Sequence, residues 1–151
     1  MAGEFSDTGS SYALDAVSGR NTVTARTMYL ALLRTAPTDT TTLATMAEYD
    51  AVGYSRQTIV FGSGTGTVAA PSLVSTVMTS ANTAVLTFGP FTANGTNATL
   101  GTTAVPYAAL VSAATGTVGD LVAYWTLDTS RTPALNDAIT VAIAQIKLQV
   151  D

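Results

Sequence analysis

Apolar residues in this chain fall in short runs of strand length, separated by clusters of Thr, Gly, Pro, Asn and Asp. Residues 27–33 (TMYLALL) are nearly all apolar and end at Thr35-Ala36-Pro37-Thr38-Asp39, a turn sequence. Met, Leu and Ala favour helix, but the short length and abrupt stop predict a buried strand. Residues 54–61 read as a second strand, opened by Gly53 and broken by the glycine-rich stretch 62–66. Strands are expected at 67–70 and 73–79, and at 82–88, which Gly89-Pro90 stops. Residues 107–112 and 121–127 are two apolar strands joined at hairpin length through 115–120. The clearest alternation lies at 138–150, where positions 139, 141 and 143, then 146, 148 and 150, are apolar. The phase slips by one at Ala144-Gln145, which predicts a β-bulge or a change of sheet. The same pattern predicts a C-terminal strand at the centre of the fold, with Ile143 and Ile146 both in the core.

The remaining segments are less regular. Residues 1–10 are polar, with Phe5 as an apolar anchor, and read as a flexible arm. Residues 11–17 fit a short helix, capped by Ser10 or Ser11 and closed by Gly19, with Leu14 and Val17 on one face. Residues 46–49 fit one helical turn or a short strand. Residues 92–103 read as a loop containing Asn94-Gly95, a tight-turn dipeptide whose flanks alternate weakly. The sum is an all-β chain: an antiparallel β-sandwich with a short N-terminal helix and a flexible N-terminal arm. The arm is residues 1–10 and the single sandwich domain residues 11–151. No fixed-period repeat and no linker interrupts it.

Composition narrows the chemistry. The chain has no His and no Cys, six Lys plus Arg, a net charge of −4 and a hydrophobic fraction of 47%. Imidazole bases, thiolate nucleophiles, disulfides and the usual transition-metal ligands are therefore excluded. The cations Arg20, Arg26, Arg34, Arg56, Arg131 and Lys147 are scattered, unlike the clustered face that holds nucleic acid. The N-terminus lacks the basic and apolar regions of a signal peptide, and no apolar run reaches the length of a membrane span. The sequons at Asn94 and Asn97 read as chance in a Thr- and Asn-rich loop.

Acid–base chemistry is left to the ten carboxylates. Asp120, Asp128 and Asp137 all adjoin turn residues, where Asp hydrogen-bonds the backbone. No clustered calcium-loop pattern exists, and the glycines at 62–66 lack the Lys-Ser/Thr of a phosphate loop. The aromatics Tyr29, Tyr54, Phe61, Phe88, Phe91, Tyr107, Tyr124 and Trp125 lie in or beside strands. They read chiefly as core, and alternatively as a carbohydrate-binding platform. Tyr124 and Trp125 are adjacent and must point to opposite faces of their strand. No catalytic, cofactor or metal residue is expected. Phe5, Tyr12 and Trp125 are the candidate partner-binding residues.

Three stretches carry a resemblance: YLALLRTAPTD at 29–39, GYSRQTIVFG at 53–62, and AALVSAATG at 108–116 followed by LVAYW at 121–125. Together they are similar to a family of small tailed-phage virion proteins, described as capsid decoration or tail-fibre-like proteins, over most of residues 12–151. The resemblance implies a non-enzymatic structural protein of the virion. The expectations it carries are a capsid-surface location, the major capsid protein as partner, and a homo-oligomer, a trimer by analogy with other decoration proteins. The rival readings are a tail-fibre or baseplate component and a carbohydrate-binding module.

Overall fold

The computed structural model describes residues 4–18, 26–63, 70, 72–74 and 77–150. The expected glycine break at 64–66, the strand at 67–69 and the helix stop at Gly19 lie outside them. Among the described residues the elements are β1 (Glu4–Phe5), α1 (Asp7–Ser18), β2 (Met28–Leu33), β3 (Gln57–Ile59), β4 (Phe61–Ser63), β5 (Ser72–Val74), β6 (Val77–Asn82), β7 (Leu86–Phe88), β8 (Val105–Val111), β9 (Leu121–Arg131), β10 (Ile139–Val141) and β11 (Lys147–Val150). All strand pairings are antiparallel, as the all-β reading expects.

A five-stranded sheet runs in the order β1-β9-β8-β2-β3. Its second-last strand, β2, explains the unbroken apolar run: Leu30, Ala31, Leu32 and Leu33 are all fully buried. Leu30 and Leu32 enter the main core, while Ala31 and Leu33 join a second cluster with Leu43, Ala109, Val111 and Leu121. A strand covered on both faces needs no polar alternation. Across the main core lie the β11-β6-β4 sheet, with β5 paired to β6, and the two-stranded β10-β7 sheet. Ala108 stands opposite Trp125 in the β8–β9 ladder, and both side chains face this core.

Strand β9 carries two irregularities. Leu110 faces Ala123 but Val111 faces Leu121, so Val122 is an extra residue. That insertion puts Leu121 in the second cluster while Ala123 and Trp125 stay in the main core. Further along, Tyr107 faces Thr126 and Val105 faces Arg131, so residues 127–130 bulge out of the ladder.

Several expected strands are split because the chain changes sheet inside them. The segment at 54–61 breaks at exposed Val60: β3 joins the large sheet and β4 the smaller one. The Val60 carbonyl accepts the Thr83 amide at 2.9 Å. The segment at 82–88 divides between the end of β6 and β7. At the C-terminus the phase slip marks a change of sheet, since β10 pairs with β7 and β11 with β6. Ala144 takes φ 62° in the intervening turn.

That change corrects the expectation of a central C-terminal strand. β11 is the end strand of its sheet, and Ile143 sits on the turn, 47% exposed, whereas Ile146 is fully buried. Asn82, also fully buried, fastens this turn: its side-chain amide donates to the Ala84 and Ala142 carbonyls, and its Oδ1 accepts the Ile146 amide at 2.9 Å. Residues 46–49 form neither a helical turn nor a strand; Glu48 makes an isolated bridge to Leu33.

Candidate interaction surface

The N-terminal segment is where the structure departs most from the sequence reading. Residues 4–10 belong to β1 and α1 instead of a free arm, and Ser6, not Ser10 or Ser11, caps the helix. The Ser6 hydroxyl accepts the Gly9 amide at 3.2 Å and also lies on the Leu121 and Val122 carbonyls. The Ser6 amide donates to Val122 O at 3.0 Å, and the Asp7 amide to Asp39 O at 3.2 Å. Gly9 lets the helix lie directly on β9: a Cβ there would stand 2.0 Å from Val122 O. Exposure of its middle turns, including Leu14 at 70%, shows that α1 offers most of its surface outward.

Side chains complete the seat. The Tyr124 hydroxyl lies 2.9 Å from both Glu4 Oε2 and Asp39 Oδ1. Burial, then those two carboxylates, raises its pKa far above the usual tyrosine value, so it stays a donor. Tyr12 donates to Asp120 Oδ2, and Arg26 lies against both, its guanidinium 4.9 Å from the Tyr12 ring centroid. The Arg26–Asp120 pair is largely exposed and contributes little to stability. Its effect is positional: α1 is joined to the base of the 112–120 loop, which presents Val118 at 87% exposure. The base of that loop is closed by Ser112, whose hydroxyl accepts the Asp120 amide at 2.8 Å.

A second network explains the GYxRQ stretch. Tyr54 and Arg56, two residues apart, converge on Glu48. Arg56 Nε and Nη2 donate to the two Glu48 oxygens at 2.8 and 2.7 Å, and the Tyr54 hydroxyl donates to Oε1 at 2.7 Å. Arg56 also donates to the Ala113 and Gly116 carbonyls, both at 2.9 Å. The guanidinium side chain is 4% exposed. It therefore pins the 112–120 loop to the sheet from below. Burial, then the negative charge of Glu48, raises the Tyr54 phenol well above its ordinary range. The signal in the sequence was an Arg immediately before a strand, in a chain with only six cations.

The three candidate partner-binding residues separate in the fold. Tyr12 is exposed at 37% and sits on the α1–loop seam. Phe5 is half-buried in β1, opposite Ala123, and packs on the core. Trp125 is 1% exposed, and its indole N–H donates to the Lys147 carbonyl at 2.9 Å. The free chain therefore keeps Trp125 in its interior, because the strand directs it to the main core; its neighbour Tyr124 takes the half-exposed face. Ser6, Gly9, Leu14, Arg26, Asp120 and Val118 were not singled out as surface-building residues. Ser6, Arg26 and Asp120 are revealed by their long-range pairings, Gly9 by its close approach to β9, and Leu14 and Val118 by their exposure.

The carboxylates have structural work. Glu48 holds Tyr54 and Arg56, and Asp120 holds Tyr12 and Arg26. Asp50 gathers the amides of Asn97 and Ala98 and the Asn97 side chain, and Asp137 accepts the Ala134 amide. Among the described residues no group of three or more His, Cys, Asp and Glu is placed to hold a metal, and no helix is long and apolar enough to cross a membrane.

The family described as Podophage GP4 fiber I protein gp80 matches residues 4–149. The chain belongs to that family. It is thus a structural protein of the tailed-phage virion. The match to the podophage fiber family begins at Glu4, the first residue of β1, so it includes the N-terminal segment seated on β9. No curated protein matches the chain.

Proposed function

We propose that this protein is a non-enzymatic component that attaches to the assembled capsid in many copies and reinforces it. The observation carrying this reading is the surface where α1 meets the 112–120 loop. Leu14 on α1 and Val118 on the loop are both strongly exposed, yet the elements presenting them are fastened by Ser6, Tyr12, Ser112 and Arg56. A pre-ordered apolar contact loses little entropy on docking, which favours binding to a repeated lattice. The partner is the major capsid protein, and the protein docks as a homo-oligomer, a trimer by analogy with other decoration proteins.

The family description favours a second reading, a fibre component at the tail. The deciding experiment titrates the protein onto undecorated shells at low and high ionic strength and then heats them. Saturable binding in numbers comparable to the capsid protein, with shells surviving to higher temperature at both salt levels, is expected of decoration. Binding confined to tails, in few copies, assigns the fibre role.

A further inference from the structure

Asn94-Gly95 is the one Asn-Gly pair in the chain. Such a pair is prone to spontaneous deamidation: the glycine amide nitrogen attacks the Asn Cγ, ammonia leaves, and water opens the resulting succinimide to Asp or isoaspartate. Glycine permits this because it has no Cβ to hinder the approach. In the fold both reacting groups are engaged elsewhere. The Gly95 amide donates to Ala98 O at 2.8 Å. The Asn94 Oδ1 accepts the Leu100 amide at 2.9 Å. Neither residue has positive φ, so the pair does not form the tight hairpin turn its sequence suggests.

The residue that imposes this arrangement comes from a distant part of the chain. Asp50 Oδ1 accepts the Ala98 amide at 2.8 Å, and Oδ2 accepts the Asn97 amide and Nδ2 at 3.0 and 2.9 Å. The same loop is strapped to the chain after Asp50 by paired bonds between Val52 and residues 92 and 93. The backbone approach is close: a Cβ on Gly95 would lie 2.1 Å from Asp50 O. We infer that Asn94-Gly95 is a latent deamidation site that Asp50 holds closed by fixing residues 95–98 in a conformation from which the Gly95 nitrogen cannot attack. Reaction then requires local opening, and the strength of the clamp sets its rate.

The test compares deamidation at Asn94, read by peptide mapping with mass spectrometry, in the folded protein, in the chain unfolded by urea, and in Asp50→Ala. Incubation is at mildly alkaline pH, and Trp125 fluorescence verifies folding in each sample. The folded protein should react at least about tenfold more slowly than the unfolded chain. Loss of hydrogen bonds to a charged acceptor should speed the folded variant at least about tenfold, at Asn94 and not at Asn136. If Asp50→Ala does not fold, Asp50→Asn, which keeps one acceptor oxygen, takes its place. Deamidation of the folded protein at the unfolded rate overturns the inference. A folded Asp50 variant no faster than the parent overturns it equally.

Discussion

Replacing Arg56 by Met tests whether the Glu48–Arg56–Tyr54 network holds the fold. The side chain is 4% exposed and makes four hydrogen bonds, two of them to Glu48. Met fills similar apolar volume but leaves Glu48 with only the Tyr54 hydroxyl among these donors. Breaking a buried ion pair by removing one partner costs about 3–5 kcal/mol. The Glu48 side chain is 22% exposed, so water relieves part of its charge and the lower end, about 3 kcal/mol, applies. For a chain of this size that corresponds to a fall in Tm of about 6–12 °C. The assay is urea unfolding followed by Trp125, the sole tryptophan, whose buried indole reports core opening directly. The midpoint should drop with the slope unchanged. Arg56→Lys should lose most of the same stability, because an ammonium cannot reproduce the planar fork onto Glu48. The double variant Arg56→Met/Glu48→Met should recover much of it, since no buried charge is left unpaired. A midpoint shift worth less than about 1 kcal/mol, the range of an exposed pair, would refute the reasoning. A double variant as unstable as the sum of the singles would refute it too.

Three further outcomes are expected. Ile146→Ala, at a fully buried site, should cost about 2–5 kcal/mol in urea unfolding, whereas Ile143→Ala, on the exposed turn, should stay within about 0.5. Gly9→Ala should lift α1 from β9, seen as rapid proteolysis within residues 4–18 while the Trp125 transition moves little. At Asp50, burial opposes ionisation, but hydrogen bonds from Asn97 and Ala98, with the charge of Arg34, outweigh it and hold the carboxyl below its ordinary value. Its contribution is present above the unfolded carboxyl pKa of about 4 and lost as pH falls through the lower folded value; Asp50→Asn should flatten that acid limb of the stability curve.

The sequence showed the strands wherever a single sheet face or a uniform environment imposed one period. Residues 27–33 and 107–112 are of this kind, and the slip at Ala144-Gln145 correctly marked a change of sheet. Corners were illegible where the apolar pattern runs on across them. Val60 continues the apolar run Ile59-Val60-Phe61 but lies exposed between β3 and β4, at the junction of two sheets. Ile143 likewise keeps the phase of Ile139 and Val141 while facing solvent. The N-terminal segment was misread for a different reason: its polar composition looks disordered, yet those polar groups have specific partners more than 100 residues away, as Ser6 has in Leu121 and Tyr12 in Asp120. Tyr12 was legible as a surface residue, whereas Trp125 carried an aromatic signal that sequence alone could not apportion between core and partner.

The strand order sets the schedule on which this protein can be made. β2 finds its main partner, β8, only roughly 70 residues later, β1 waits for β9, and β6 waits for β11. At bacterial elongation rates of about 5–20 residues per second, the apolar Leu30–Leu33 stretch leaves the ribosome several seconds before β8 can pair with it. A chain released early, even one missing only β11, would present open strand edges to its neighbours. Products truncated before β11 should therefore go to inclusion bodies or chaperones.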